Sequence, residues 1–216
     1  MKKTIALLLT LLLCVCSLSA LADDVRAVRP IRLRTDMNAL AGLTLTAIPG
    51  AYDPKTNTLE LTLLEPEAFS AEDIRSLRLG EYLISDRVTY QVNELEFDDM
   101  GCTINESNGI FCDGWLWLYL HEDGLYYSTN VHDAVWREVG TAAFPLSPTA
   151  VFLDGIDPRD GAVLDTPTQH SIPQFLAMKA DEEENDGVGF SCHNFRITFD
   201  ENGQIAILER HYVSWQ

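Results

Sequence analysis

Basic residues are scarce in this 216-residue chain: 15 Lys and Arg stand against 33 Asp and Glu, a formal charge of −18. Phosphate contacts need a basic surface, so nucleic acid is excluded as a partner, and docking on anionic lipid is disfavoured for the same reason. Past residue 22 there is no apolar run long enough to cross a bilayer as a helix. Catalytic signatures are missing too. The chain has no Gly-x-Ser-x-Gly elbow, no glycine-rich phosphate loop, no dinucleotide fingerprint and no His-x-x-x-His pair. His121, His132, His170, His193 and His211 are scattered along it. Cys192 and His193 are adjacent, and neighbours on a strand point to opposite faces. A nucleophile pair or a zinc site there would need a partner brought across a sheet. No catalytic residue and no metal ligand is assigned.

What the chain does have begins with a leader. Met1-Lys2-Lys3 is a short basic start, residues 5–15 are apolar apart from Thr10, and Ser19-Ala20-Leu21-Ala22 offers a small-residue cut before Asp23. This is the pattern of a secretory signal peptide over residues 1–22. The run is short for a membrane anchor. Cys14 and Cys16 follow Leu13 and Val15 rather than the small residues a lipid-attachment site wants. The expected protein is therefore secreted, whether extracellular, at the cell surface or periplasmic, and not membrane-spanning once cleaved.

Residues 23–42 form an N-terminal arm in which Arg26, Arg29, Arg32 and Arg34 face Asp23, Asp24 and Asp36. The arm is mildly basic and the body behind it strongly acidic. It reads as an exposed leader; the alternative is an arm that docks on the acidic body or on a wall polymer.

Three of the five cysteines, Cys102, Cys112 and Cys192, lie beyond the leader. An exported chain meets an oxidising space. Cys102 and Cys112 flank Asn105-Glu106-Ser107-Asn108-Gly109, and a hairpin centred on Ser107 would set them opposite each other within disulfide reach. Such a bridge would contribute about 3 kcal/mol. A two-residue Asn108-Gly109 turn would break that register and leave two buried thiols. Asn105-Glu106-Ser107 is also formally a glycosylation sequon, taken here as chance.

Residues 43–216 read as a single, mostly β domain, an antiparallel sandwich or barrel with two short helices. Strands are expected over 43–48, 58–64, 81–84, 88–97, 115–120, 125–128, 135–144, 150–153, 195–199 and 204–213. Turn residues separate them at short intervals. Ser70 followed by Glu72 and Asp73 caps a short helix over 71–77. Ser171-Ile172-Pro173-Gln174 is a capping box that opens a second helix to about residue 180. Residues 154–167 read as a loop, and the acidic run 181–186 as a solvated one.

The aromatic strand carries the functional reading. Trp115, Trp117 and Tyr119 share one face, and Leu116, Leu118 and Leu120 the other. Both faces are apolar. Either the strand is packed on both sides, which is the commoner arrangement, or the aromatic face is an exposed platform. Tyr126 and Tyr127 on the next strand would extend that platform. Exposed Trp and Tyr stack on sugar rings or anchor protein partners. The expected activity is thus a non-catalytic binding module for a glycan, a cell-wall component or an exported protein. The alternatives are a secreted hydrolase with a glycosidase-type carboxylate pair and an inhibitor or assembly factor acting through the Cys102–Cys112 hairpin. No cofactor is expected. Calcium on the clustered carboxylates near 157–160, 181–186 and Asp200 is the one cation the composition suggests, though no EF-hand loop is present.

Overall fold

The computed structural model describes residues 25–33, 36–108, 114–129, 134–157, 162–185, 190 and 194–211. The leader read over 1–22, and with it Cys112, Cys192 and His193, lies outside the described residues.

The chain is mostly β, with two helices, and is built around two cores. The first core fills a barrel. Its wall contains β2 (Thr44–Asp53), β3 (Thr58–Pro66), β11 (Trp136–Ile156), β13 (Phe195–Phe199) and β14 (Ile205–Arg210). β11 closes the wall because it is long enough to serve both ends of the sheet. Its first half pairs antiparallel with β3, from Trp136↔Pro66 to Pro145↔Thr58, and its second half pairs parallel with β14. Between Leu146 and Val151 the register shifts, around Pro148, which has no N–H to give a ladder. β12 (Val163–Ser171) adds a further strand beside the second half of β11.

Alternation fills the barrel. Leu59, Leu61 and Leu63 of β3 are at most 1% exposed. They meet Phe195, Ile197 and Phe199 of β13 and Phe144 and Phe152 of β11. α2 (Ile172–Asn185) contributes Phe175, whose ring centroid lies 5.0 Å from that of Phe152. The return half of the capping box forms: the Ser171 N–H and hydroxyl both donate to Gln174 Oε1, at 2.8 and 2.9 Å. One ion pair is buried in the barrel. Arg210 Nε and Nη2 each lie 2.9 Å from an oxygen of Asp154, and the guanidinium sits 4.0 Å above the Phe190 ring.

The second core lies in a sandwich of a three-stranded and a five-stranded sheet. The smaller sheet holds β1 (Ala27–Val28), β5 (Tyr82–Ser85) and β6 (Val88–Gln91). The larger runs in the order β4 (Ala68–Phe69), β10 (Tyr126–Thr129), β9 (Leu116–Leu120), β8 (Gly101–Ile104) and β7 (Leu95–Phe97). α1 (Ala71–Arg75) supplies Ile74 to the core, and Leu77 follows just after it. The Ser70 hydroxyl caps α1 by accepting from the Asp73 N–H at 3.1 Å. Pairing is antiparallel apart from β1 with β5 and β11 with β14.

Several sequence expectations give way. The arm is no exposed leader: β1 lies beside β5, Val28 is buried, Ile31 bridges Ala68, and Arg26 Nη2 lies 2.6 Å from Asp73 Oδ1. It docks on the acidic body through a strand and a guanidinium together. Of the loop read over 154–167, residues 154–156 end β11 and residues 163–167 belong to β12. β12 is solvent-exposed along most of its length, so it has no apolar alternation to betray it. Strands read separately over 135–144 and 150–153 are one. The acidic run begins inside α2, which continues to Asn185; acids on a helix can be solvated without leaving it. The stretch 88–97 is two strands, parted at 92–94.

The hairpin expected to centre on Ser107 is also different. β8 and β9 pair with Cys102 opposite Leu118 and Ile104 opposite Leu116, which centres the connection on residue 110. Cys102 therefore faces Leu118 across the ladder and is a free, buried thiol, while Cys112, its expected partner, lies outside the described residues. The turn residues misled because Asn105, at φ +56°, ends a strand rather than forming the hairpin tip.

Candidate functional site

β9 sits in the middle of the five-stranded sheet, so its two faces meet different surroundings. Leu116 and Leu118 point inward and are 4% and 0% exposed. Burying each contributes about 1.5–3 kcal/mol. Trp117 and Tyr119 point outward and are half-buried.

On that outer face the rings form a chain. Trp117 and Tyr119 lie 6.2 Å apart between centroids, Tyr119 and His121 6.5 Å, and His121 and Tyr127 5.5 Å. Adjacent planes are inclined by 66–78°, the edge-to-face arrangement aromatic pairs favour. Thr103 of β8 and Thr129 of β10 flank Trp117 in register. Gly101 and Tyr127 flank Tyr119. A β-carbon at Gly101 would run into the Leu118 carbonyl, so only glycine lets β8 lie this close to β9.

The β9–β10 turn holds a carboxylate at one end of the ring chain. Asp123 Oδ2 accepts from the Tyr127 hydroxyl at 2.6 Å, and Oδ1 accepts from the Leu125 N–H at 2.9 Å. His121 Nδ1 is 3.4 Å from the same Oδ1. The Tyr127 hydrogen bond, helped by the Leu125 N–H and by His121, holds the Asp123 carboxyl below its ordinary range. Burial and the Asp123 charge push the Tyr127 phenol up to about 12. At neutral pH the turn thus presents a carboxylate tied to a neutral phenol.

Of the residues singled out in the sequence, Trp117, Tyr119 and Tyr127 come together on this face. Tyr126 does not. It is 3% exposed, pairs with Leu120 and Phe69, and belongs to the sandwich core, because neighbours on a strand face opposite ways. Trp115 lies just before β9, makes no ring contact with the chain among the described residues, and has a buried indole N–H with no acceptor. His121 and Asp123 were not anticipated. The alternation 117, 119, 121 already pointed to the histidine, had the strand period been followed one step into the turn.

The other features carry less chemistry. The Cys102 thiol is pushed up to about 12 by burial and by the nearby Asp98 charge, so it stays protonated and unreactive. Asn105 is 3% exposed, and its side-chain amide is fully engaged: it accepts from the Asn93 and Glu94 N–H groups and donates to the Gln91 and Gly114 carbonyls. A glycan cannot be attached there without opening the fold. Among the described residues no three His, Cys, Asp or Glu side chains converge as a metal site would require.

Open grooves among the described residues include two of note. One, of about 600 Å³, lies beside the start of α2 and has no acid in its lining. The other, of about 470 Å³, is lined by Glu94 and Glu96 along with Arg75, Arg78, Leu79 and Phe97. The Ser107 hydroxyl and N–H both donate to Glu94, which holds that carboxyl below its ordinary range. An acid lowered in this way is unsuited to protonate a leaving group.

Among the described residues, the outer face of β9 and β10 is where outward-facing aromatic rings and a fixed carboxylate come together. Comparison with protein-family models, with curated proteins and with solved structures finds no match.

Proposed function

We propose that this chain is a secreted, non-catalytic binding module that holds a glycan on the outer face of β9 and β10. The observation carrying this reading is the division of β9: its leucines fill the core while Trp117 and Tyr119 continue outward into a chain of rings with His121 and Tyr127. Sugar rings present flat C–H faces that pack on aromatic planes, and their hydroxyls bond to polar groups at the margin, here Thr103, Thr129 and Asp123. Export rests on the leader in residues 1–22.

The test is a glycan-array screen of the protein without residues 1–22, followed by titration of the best oligosaccharide into the Trp117→Ala and Tyr119→Ala variants. Each substitution is expected to weaken binding at least about tenfold with the fold retained by circular dichroism. Unchanged binding by both folded variants would remove this face from consideration. Capture of an exported protein that these variants abolish, with no glycan bound, would replace the ligand while keeping the surface.

A further inference from the structure

We propose that the glycan held on this face carries amino groups, and that Asp123 is the counter-ion for one of them. The inference rests on the aromatic-face reading and narrows its ligand.

Three observations support it. First, the Asp123 carboxylate is built into the end of the ring chain. The Tyr127 hydroxyl and the Leu125 N–H fix its two oxygens, yet the side chain is 42% exposed, so lone pairs remain for a ligand. The His121 and Tyr127 rings stand beside it, 5.5 Å apart and inclined by 76°. A tyrosine ring face beside a carboxylate suits an ammonium group, because both are electron-rich. Second, a carboxylate also stands beside the other end of the chain. Glu96 of β7 pairs with Thr103, which pairs with Trp117, so Glu96, Thr103 and Trp117 lie in one row on the outer face. Glu96 is exposed. Third, the chain carries a formal charge of −18, a field that repels anionic polymers and draws cationic ones.

A lysine-rich peptide offers the same ammonium chemistry, but the geometry favours a glycan. An extended peptide gains main-chain hydrogen bonds by adding to a free strand edge. β9 lies between β8 and β10, and β10 between β9 and β4, so the strands carrying the rings have no free edge to offer. A polymer recognised through its faces has no such requirement.

The experiment compares two tetrasaccharides of one linkage, N-trimethylglucosamine and N-acetylglucosamine, by calorimetric titration near pH 8. The quaternary group keeps its charge there. The trimethyl form is expected to bind the wild-type protein at least about tenfold more tightly. The preference is expected to vanish in Asp123→Asn and to shrink in high salt. Should Asp123→Asn fold poorly, Asp123→Glu, which keeps the charge and displaces it by one methylene, is expected to reduce the preference, and an unchanged preference would overturn the assignment of this carboxylate. Equal affinities for the two oligosaccharides, both lost in Trp117→Ala, would overturn the amino-group inference and leave the glycan-binding face standing. Binding of neither oligosaccharide, at any concentration up to millimolar, would overturn both. A tetralysine peptide outcompeting the trimethyl form would overturn the inference in favour of a protein partner.

Discussion

Among the described residues the barrel core gathers fifteen buried apolar side chains, six of them phenylalanine; the sandwich core gathers eleven, with one phenylalanine. The barrel wall closes through β11, whereas the sandwich keeps open edges at β6 and β7. The sandwich makes up for its smaller core with polar stitching. Asn105 binds four backbone groups from two stretches, 91–94 and 114. Buried Glu67 accepts from the Ser85 hydroxyl and the Asp86 N–H at the β5–β6 turn. Arg26 ties the arm to Asp73. A small core needs specific hydrogen bonds to fix its loops, while a large aromatic core fixes its strands by packing. The outer surface left by that economy is the aromatic face.

The sharpest way to break the comparison is to attack the barrel through the buried Asp154–Arg210 pair. Asp154→Ala removes the buried carboxylate that Arg210 binds and is expected to cost about 3–5 kcal/mol in urea unfolding. Asp154→Leu combined with Arg210→Met should recover most of that loss. If the single variant costs under 1 kcal/mol, the barrel does not depend on this pair.

In the sandwich the matching test is Asn105→Gly, which keeps the backbone free to hold φ +56° and deletes only the amide. The expected loss is about 2–3 kcal/mol, because buried N–H and C=O groups are left without partners. A loss no larger than that of an exposed substitution would mean that the core alone sets the loops.

A gain is expected at the β5–β6 turn. Asp86 and Arg87 both have positive φ, 47° and 63°, in a two-residue hairpin that normally takes Asn-Gly. Arg87→Gly should raise stability by about 1 kcal/mol, read as a shift in the urea midpoint. No shift would place the turn's strain elsewhere.

The smallest effect is at the docked arm. The Ser70 hydroxyl, and then Arg26, hold the Asp73 carboxyl below its ordinary value of 3.8, against the opposing pull of burial. A carboxyl lowered on folding adds stability that is complete above that value and is lost as pH falls through the lowered one. Asp73→Asn should flatten the acid limb of the stability profile slightly, since the pair is about two-fifths exposed and screened by solvent. An unchanged acid limb would show that the arm docks through its strand alone.

The β-rich class and both helix caps were legible because each has a local cause. Leu59, Leu61 and Leu63 alternate with polar residues, Ser70 precedes two acids, and Ser171 stands three residues before Gln174. β12 was not legible, since most of its side chains face water and the strand exists through β11 alone. The β8–β9 register was hidden because Asn105 looks like a turn residue and its role is long-range. At the candidate site, Trp117, Tyr119 and Tyr127 followed from alternation. Applied one residue earlier, the same rule would have put Tyr126 inside. Which face of β9 meets solvent could not follow from a strand apolar on both sides.

The most direct test sets Leu118→Ala beside Trp117→Ala, neighbours on one strand with opposite assignments. Leu118→Ala is expected to lose about 2–5 kcal/mol of stability and, in the fraction that remains folded, to keep its oligosaccharide affinity. Trp117→Ala is expected to lose less than half as much stability and most of the affinity. A Trp117→Ala protein as unstable as Leu118→Ala, with oligosaccharide affinity intact, would make the aromatic face packing and nothing more.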